Sequence, residues 1–270
     1  MSISILMSIY NGDDPKYLRE SLESIKIQTK KPDLIVLVED GKISKELEKI
    51  INYYKDIWKE KLIIVGYKNN RGLAIALNYG LKYCKTDYIA RMDSDDVMER
   101  DRLEKQHNYL EHHKDIDVVG SWIKEIDELG KEIKTVKYPE NHNACRKYFK
   151  FRDCFAHPAV MFRHRFFEKV GLYSESHVGI NKNEDTNLWF RGFISGMKYA
   201  NIQEPLLKYR RTKEFYKRRV GFRRAILMAR DRIIINKEMK YGFDAYLGII
   251  LRLILNILPK KILALLYQIR

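Results

Sequence analysis

An α/β protein built on a doubly wound, mostly parallel sheet is the fold class this sequence predicts, and three observations lead there. Strand-like and helix-like segments alternate four times within about the first 100 residues, the rhythm of consecutive βα units. Residues 34–38 are apolar at every position, as a strand covered on both faces must be. Each of the four early strands also gives way to a polar turn, so polar groups gather on one rim of one sheet, where open α/β sheets bind ligands.

The elements follow in order. Residues 4–9 read as the first strand. Asp14-Pro15 opens a helix with Leu18, Leu22 and Ile25 on one face, and the proline sits where a missing N–H costs nothing. Residues 34–38 form the second strand, and Leu47, Ile50, Ile51 and Tyr54 mark a second helix by their spacing. Residues 62–65 are a third strand. Residues 72–84 are the cleanest helix, with Leu73, Ala76, Leu77, Gly80, Leu81 and Cys84 in one stripe. Residues 88–92 are the fourth strand. The rhythm then changes. Residues 118–126 and 132–138 suggest a hairpin around Glu128-Leu129-Gly130, residues 157–162 another strand, and residues 185–195 a helix ended by Gly196. Beyond Thr212 the chain turns helical, basic and aromatic, with no internal repeat and no low-complexity linker.

Composition narrows the class. A chain of 270 residues can bury one large α/β core, with or without an appendage. Its three cysteines, Cys84, Cys145 and Cys154, lack metal-ligand spacing and suit a reducing compartment without disulfides. The segment Met1-Ser2-Ile3-Ser4-Ile5-Leu6-Met7 has neither a basic start nor a long apolar stretch, so a cytoplasmic placement is expected. The net charge of +15 is unevenly spread. Residues 198–270 carry 18 Lys and Arg against 5 Asp and Glu, a surplus of 13, which leaves only about +2 for the first 197. Basicity therefore belongs to the tail. A nucleic-acid binder, suggested by overall charge alone, would not explain the acidic cluster in the near-neutral first part, and no nucleic-acid partner is expected.

That cluster is Asp93-Ser94-Asp95-Asp96, at the end of the fourth strand. Carboxylates packed this tightly repel, and a strand end gives them no stabilising reason to be there. A hard divalent cation, Mg²⁺ or Mn²⁺, supplies one and is usually shared with substrate phosphates. The plainer alternative is a helix cap, with Ser94 or Asp95 opening a helix through Glu99 and Leu103; a cap accounts for one or two acids, not three. The other strand ends carry Tyr10-Asn11-Gly12-Asp13, Glu39-Asp40-Gly41 and Asn69-Asn70-Arg71-Gly72. Singly these are turns; together they suit a nucleotide pocket, where an Asp accepts from a base or ribose and Arg71 reaches a phosphate or base edge. The first βα turn is neither G-x-G-x-x-G nor a P-loop, which argues against a dinucleotide or ATP fold. A second acidic pair, Glu184-Asp185, precedes Leu188-Trp189-Phe190-Arg191; Asp185 is either a cap or a general base at a helix start. His157 beside Pro158 is either structural or a ligand, and Trp122 and Trp189 are either core or a wall under a sugar.

Taken in order, these blocks carry a resemblance. Ser8-Ile9-Tyr10-Asn11-Gly12, Glu39-Asp40-Gly41, Asn70-Arg71-Gly72-Leu73-Ala74 with Asn78, Met92-Asp93-Ser94-Asp95-Asp96, His157-Pro158 and Glu184-Asp185-x-x-Leu188-Trp189 occur as in family 2 glycosyltransferases of the bacterial surface-polysaccharide type. The resemblance covers roughly residues 1–210. It implies a GT-A fold over residues 1–211, with a nucleotide-sugar half (1–100) and an acceptor half (101–211), followed by a basic amphipathic helical region (212–270). It implies a hexosyl transfer from a nucleotide-sugar, expected to be UDP-linked, to a hydroxyl of a glycan or lipid-linked acceptor, by metal-assisted single displacement with inversion. Carried over by position, Ile9, Tyr10, Asn11, Glu39, Asp40, Arg71, Asp93 and Ser94 should bind the donor. Asp93 and Asp95 should bind the metal, and Asp185 should be the catalytic base. His157, Glu184 and Trp189 are expected on the acceptor side. Glu39 and Lys42 depart from the family's Asp-Asp-Gly-Ser, which leaves open whether Glu39 or Asp40 meets the base. A third metal contact has no clear place, His157 and His177 being the candidates. The nearest rival, a sugar-phosphate nucleotidyltransferase, should show a Gly-rich basic phosphate loop after the first strand, where this chain is acidic.

The tail completes the expectation. Lys213, Lys217, Arg218, Arg219, Arg223, Arg224, Arg230 and Arg232 make a dense basic helix, attractive to anionic lipid. Residues 246–258 are apolar but only 13 long and interrupted by Arg252, against about 20 needed to span a bilayer. Pro259-Lys260-Lys261 breaks the run before residues 262–269 resume an amphipathic pattern. A peripheral position on the inner face of the cell membrane is expected; the alternatives are helices folded back on the catalytic domain or an oligomer contact.

Overall fold

The computed structural model describes residues 1–175, 183–212 and 222–257 of the chain. Four parallel strands, β1 (Ile3–Ile9), β2 (Leu34–Asp40), β3 (Leu62–Tyr67) and β4 (Tyr88–Met92), lie in the order β3-β2-β1-β4. Helices α1 (Pro15–Lys26), α2 (Lys45–Trp58) and α3 (Leu73–Leu81) link them. Asp14 caps α1, accepting from the Lys16 N–H at 2.8 Å, and Ser44 caps α2. This first half is the one the periodicity predicts.

The sheet then becomes mixed. β5 (Val97–Met98) and α4 (Arg102–His112) lead to the hairpin β6 (Val118–Ile126) and β7 (Glu132–Val136), which turns where expected. After α5 (His142–Phe149), the short β8 (Met161–Arg163) enters antiparallel between β4 and β6. Residues 157–159 are a 3₁₀ turn and not the start of the expected strand. Pro158 has no N–H to give a ladder, and a central position such as that of β8 cannot spare one. α6 (His164–Val170) and α7 (Glu184–Ile194) precede β9 (Tyr199–Arg210), a 12-residue strand parallel to β6. Its interior Pro205 sits where the register against Trp122 slips, so the missing donor falls at an irregularity.

Two apolar layers sandwich the sheet. β1 sends Ile3, Ile5, Met7 and Ile9 toward α1, α2 and α4. Leu6, Val36 and Val38 face the other side, where α3, α5, α6 and α7 pack around Trp189. That second layer also takes up α8 (Phe222–Glu238) through Ile235, and Met239 just beyond it. α9 (Phe243–Ile257) follows. The described part of the tail therefore folds back on the second apolar layer. Lys213, Lys217, Arg218 and Arg219, and residues 258–270, lie outside the described residues, as does His177.

One turn shows how tightly the rim is built. Gly41 follows β2 with φ +88°, and a Cβ there would stand 2.6 Å from the Asn70 backbone nitrogen. The left-handed conformation costs a non-glycine residue about 1–2 kcal/mol, and main chain cannot step aside as a side chain can. Gly41→Ala is expected to lower stability by at least about 2 kcal/mol. Urea unfolding reads this as a lower midpoint; an unchanged midpoint would show that the two rim turns do not press together.

Candidate active site

The rim formed by the carboxyl ends of β1, β2 and β4 collects the polar turns. Asp93, Asp95 and Asp96 offer carboxylate oxygens that all lie within 4.8 Å of one another. They do not cap a helix: residues 97–98 form β5, and α4 starts only at Arg102, after Asp101. Burial pushes the Asp95 carboxyl up to about 6, with the Asp93 charge adding to it. Burial raises Asp96 well above the usual carboxylate range, and Asp95 and Asp93 push the same way. A fourth acid joins from the β1 turn. Burial lifts Asp13 to about 7, although hydrogen bonds from the Tyr10 N–H and from Ser94 oppose it.

Two guanidinium groups hold this turn. Arg91, inside β4 and fully buried, pairs with Asp93, while its Nε and Nη1 have no partner among the described residues. Arg210, at the end of β9, reaches the turn from the other side. Its backbone N–H donates to Asp96 Oδ1 at 2.8 Å and its Nε to the Asp95 carbonyl at 2.9 Å. The same guanidinium pairs with Glu20 and lies 4.2 Å from the centre of the Tyr17 ring. Asp96 Oδ2 is left buried without a hydrogen bond. Hard oxygen donors, one of them orphaned and two with raised proton affinity, fit a divalent cation.

The turns after β2 and β3, expected on the nucleotide side, are equally specific. Asp40 accepts the Arg71 N–H at 2.7 Å and the Gly72 N–H at 2.9 Å, closing the start of α3. Asn70 Nδ2 donates to the Asp40 carbonyl at 3.2 Å, and the Arg71 guanidinium stands 5.6 Å from the Tyr67 ring centre. Glu39, one residue earlier on the strand, belongs to the opposite face of the sheet. Burial, and then the charge of Glu48 on α2, raises its carboxyl. Of the two acids, Asp40 is therefore the one beside Arg71. Asn11 is exposed and Tyr10 half-buried at the β1 turn. The Ile9 side chain, expected at the donor pocket, is 1 % exposed and packs in the core, with its main chain at the rim.

On the acceptor side, Glu184 and Asp185 occupy the first turn of α7, partly exposed. Asp185 Oδ1 accepts the Thr186 N–H at 2.7 Å, and Thr186 Oγ1 donates to Asp153 at 2.8 Å. Burial raises the pKa of the Tyr173 phenol; the Arg91 charge opposes this, and the charges of Glu184, Asp185 and Asp93 add to it. His157 Nε2 lies 2.9 Å from the Tyr173 hydroxyl. Burial holds its pKa well below the usual value, and it is not part of the three-carboxylate cluster. Trp189, expected on the acceptor side, is 0 % exposed and packs between Phe155 and Phe162 in the core.

Asp13, Arg91, Tyr173 and Arg210 had no role in the sequence reading. Arg91, a charge within an apolar strand two residues before an Asp, carried a legible signal; Arg210 carried none. Arg210→Met is expected to loosen the acidic turn and to weaken Mn²⁺ binding by roughly 10-fold or more, the effect of losing one or two charge-assisted hydrogen bonds. Titration calorimetry on the folded variant measures it, and unaltered Mn²⁺ affinity would reduce Arg210 to a strand end.

Comparison with known proteins identifies the family. Residues 4–171 match the family model described as glycosyl transferase family 2. A UDP-Gal:alpha-D-GlcNAc-diphosphoundecaprenol beta-1,3-galactosyltransferase of Escherichia coli is 32% identical over 268 residues, 98% of this chain and 94% of that protein. The amylovoran biosynthesis glycosyltransferase AmsE of Erwinia amylovora is 32% identical over 98% of this chain and 97% of its own. Among solved structures, S. aureus TarS 1-349 in complex with UDP-GlcNAc superposes with a TM-score of 0.65 at 17% identity, covering 94% of this chain and 70% of that one; this likeness concerns the GT-A fold. The chain belongs to glycosyl transferase family 2.

Proposed function

We propose that this glycosyltransferase moves a hexose from a UDP-sugar to a hydroxyl of a glycan or lipid-linked acceptor in cell-surface polysaccharide synthesis, with inversion at the anomeric carbon. The observation that carries the reading is the cluster Asp93, Asp95 and Asp96, the last two with raised proton affinity, on the same rim as Asp40 and Arg71. The relatives named for a UDP-Gal donor and for amylovoran synthesis support the donor and pathway class.

In this reading Asp40, with lone pairs left beyond its two backbone bonds, and Arg71 receive the base, while Tyr10, Asn11 and Ser94 border the nucleotide. Asp93 and Asp95, with Asp96 behind them, would hold Mn²⁺ or Mg²⁺. Such an ion, when bound, supplies positive charge to a departing diphosphate. Asp185 takes the proton of the acceptor hydroxyl as that oxygen bonds to the anomeric carbon and the bond to the diphosphate breaks. Glu184 stands beside it toward the acceptor, and His157 acts through Tyr173.

The acceptor class also bears on location. The E. coli relative is named for a diphosphoundecaprenol-linked substrate. No described helix is long and apolar enough to cross a membrane, while α9 exposes Phe243, Leu247, Ile250 and Leu251. We place the protein peripherally on the anionic inner face of the cell membrane.

The cheapest test is release of UDP from a panel of UDP-sugars with Mn²⁺ and with EDTA. Metal-dependent release is expected for at least one donor; none with any donor, at any metal concentration, would remove the reading. Asp95→Ala is expected to cut metal-dependent turnover by at least ~10²-fold without unfolding the protein. Full activity of that variant in EDTA would contradict a metal site. Asp185→Asn should lower kcat by at least ~10²-fold and leave donor affinity within about 2-fold. Normal turnover would return Asp185 to the role of a helix cap.

A further inference from the structure

We propose that the cleft between α5 and the turn joining α8 to α9 binds the phosphate of an anionic phospholipid headgroup, an inference that rests on the membrane placement above. The cleft has a volume of about 380 Å³ and is lined by Asn143, Arg146, Lys147, Lys150, Lys240 and Tyr241, among others. Four of these six are cations. Asp244, at its edge, is paired with Lys150 at 2.9 Å. Like charges gathered this closely repel unless an anion joins them.

Two of the cations are held in place before any ligand arrives. Arg146 and Lys150 stand 6.0 and 5.6 Å from the centre of the Tyr241 ring, and Arg146 Nη2 donates to the Met239 carbonyl at 3.2 Å. The Tyr241 hydroxyl in turn donates to the Arg146 carbonyl at 2.7 Å. Lys147 and Lys240 are exposed. Lys240 also has φ +55°, at a helix end where glycine or asparagine adopts the left-handed region with less strain. Its ammonium group stands at the rim of the basic cleft.

Charge alone would suit any phosphate. The neighbouring helix narrows the choice. Phe243 is 75 % exposed and Leu247 50 % exposed at the start of α9, and Ile250 and Leu251 continue the same face one turn beyond Leu247. Apolar side chains in a helical stripe beside clustered cations are the pattern of a helix lying in a membrane interface. A free phosphate has no need of them. The placement also suits the chemistry. Asp231 and Arg232 of α8 bond Asn183 and Asp153, next to the acidic start of α7, and about 10 Å of helix separates Asp231 from the end of α8. A headgroup in the cleft would set the height of Asp185 above the bilayer, within reach of an acceptor anchored in it.

The test is co-sedimentation of the full-length protein with phosphatidylcholine vesicles, with and without phosphatidylglycerol, at low salt. Lys147→Glu/Lys240→Glu is compared with Lys45→Glu/Lys49→Glu, an equal change of charge on α2, across the sheet. The cleft pair is expected to lower binding to phosphatidylglycerol vesicles at least ~10-fold and the α2 pair no more than about 2-fold, with both variants still releasing UDP. Phe243→Ser should also weaken binding. If the wild-type protein binds and both pairs lose equally, or neither loses, the cleft is not the site although the membrane reading stands. If the wild-type protein binds no vesicle, both fail. Binding that millimolar inorganic phosphate abolishes and Phe243→Ser leaves unchanged would show a site for soluble phosphate and overturn the lipid assignment.

Discussion

The structure is arranged around negative charge that has to be tolerated at the end of β4. Two ionised carboxylates 4.8 Å apart repel by about 3.5 kcal/mol at an effective dielectric constant of about 20. Exposed ion pairs contribute about 0–1 kcal/mol each, so surface lysines cannot offset this. The compensation is internal. Arg91 is buried within the sheet to meet Asp93, and the end of β9 is placed so that Arg210 meets Asp95 and Asp96. Even so, three carboxylates face one directly paired guanidinium, because Arg210 also pairs with Glu20. The surplus appears as raised proton affinity at Asp95, Asp96 and Asp13 and as an unbonded oxygen on Asp96.

The same need explains why the second half of the chain cannot be separated from the first. β9 completes the sheet beside β6, and its last residue ties together α1, the acidic turn and the β6–β7 turn, whose Asp127 and Glu128 carbonyls lie 3.4 Å from Arg210 Nη1. α8 does the corresponding work for α7. Arg232 pairs with Asp153, which accepts from Thr186, and Asp231 accepts from Asn183. The helix after the catalytic region is thus a structural support for the acidic pair at the start of α7, and the boundary near residue 212 marks a change in composition, not a break in packing.

The first half was legible because its information is local. The apolar face of α1, the continuous run of β2 and the stripe of α3 each repeat at the period of one element, and burial on either face of a parallel sheet demands that pattern. The same holds for the acidic turn and for Asp40, whose residue types are too costly or too specific to be incidental at a strand end. β9 was not legible. It carries Pro205 and several polar residues, and it is a strand only because β6, about 80 residues earlier, supplies its hydrogen bonds. Residues 157–159 erred the other way, since apolar neighbours suggested a strand that Pro158 forbids.

By itself, the sequence determined the fold class, the rim on which the site lies and the identity of the acids that crowd it, because periodicity and charge density are properties of contiguous residues. Only the tertiary structure decided which side chains face that rim. Ile9 and Trp189 matched the motif order yet lie in the core, for a residue's place in a motif does not say which face of its element is covered. Arg210, Tyr173 and α8 entered the site from far along the chain. Their roles depend on hydrogen bonds and burial that exist only once the sheet has closed, when a charge or hydroxyl without a nearby partner would be too costly to keep.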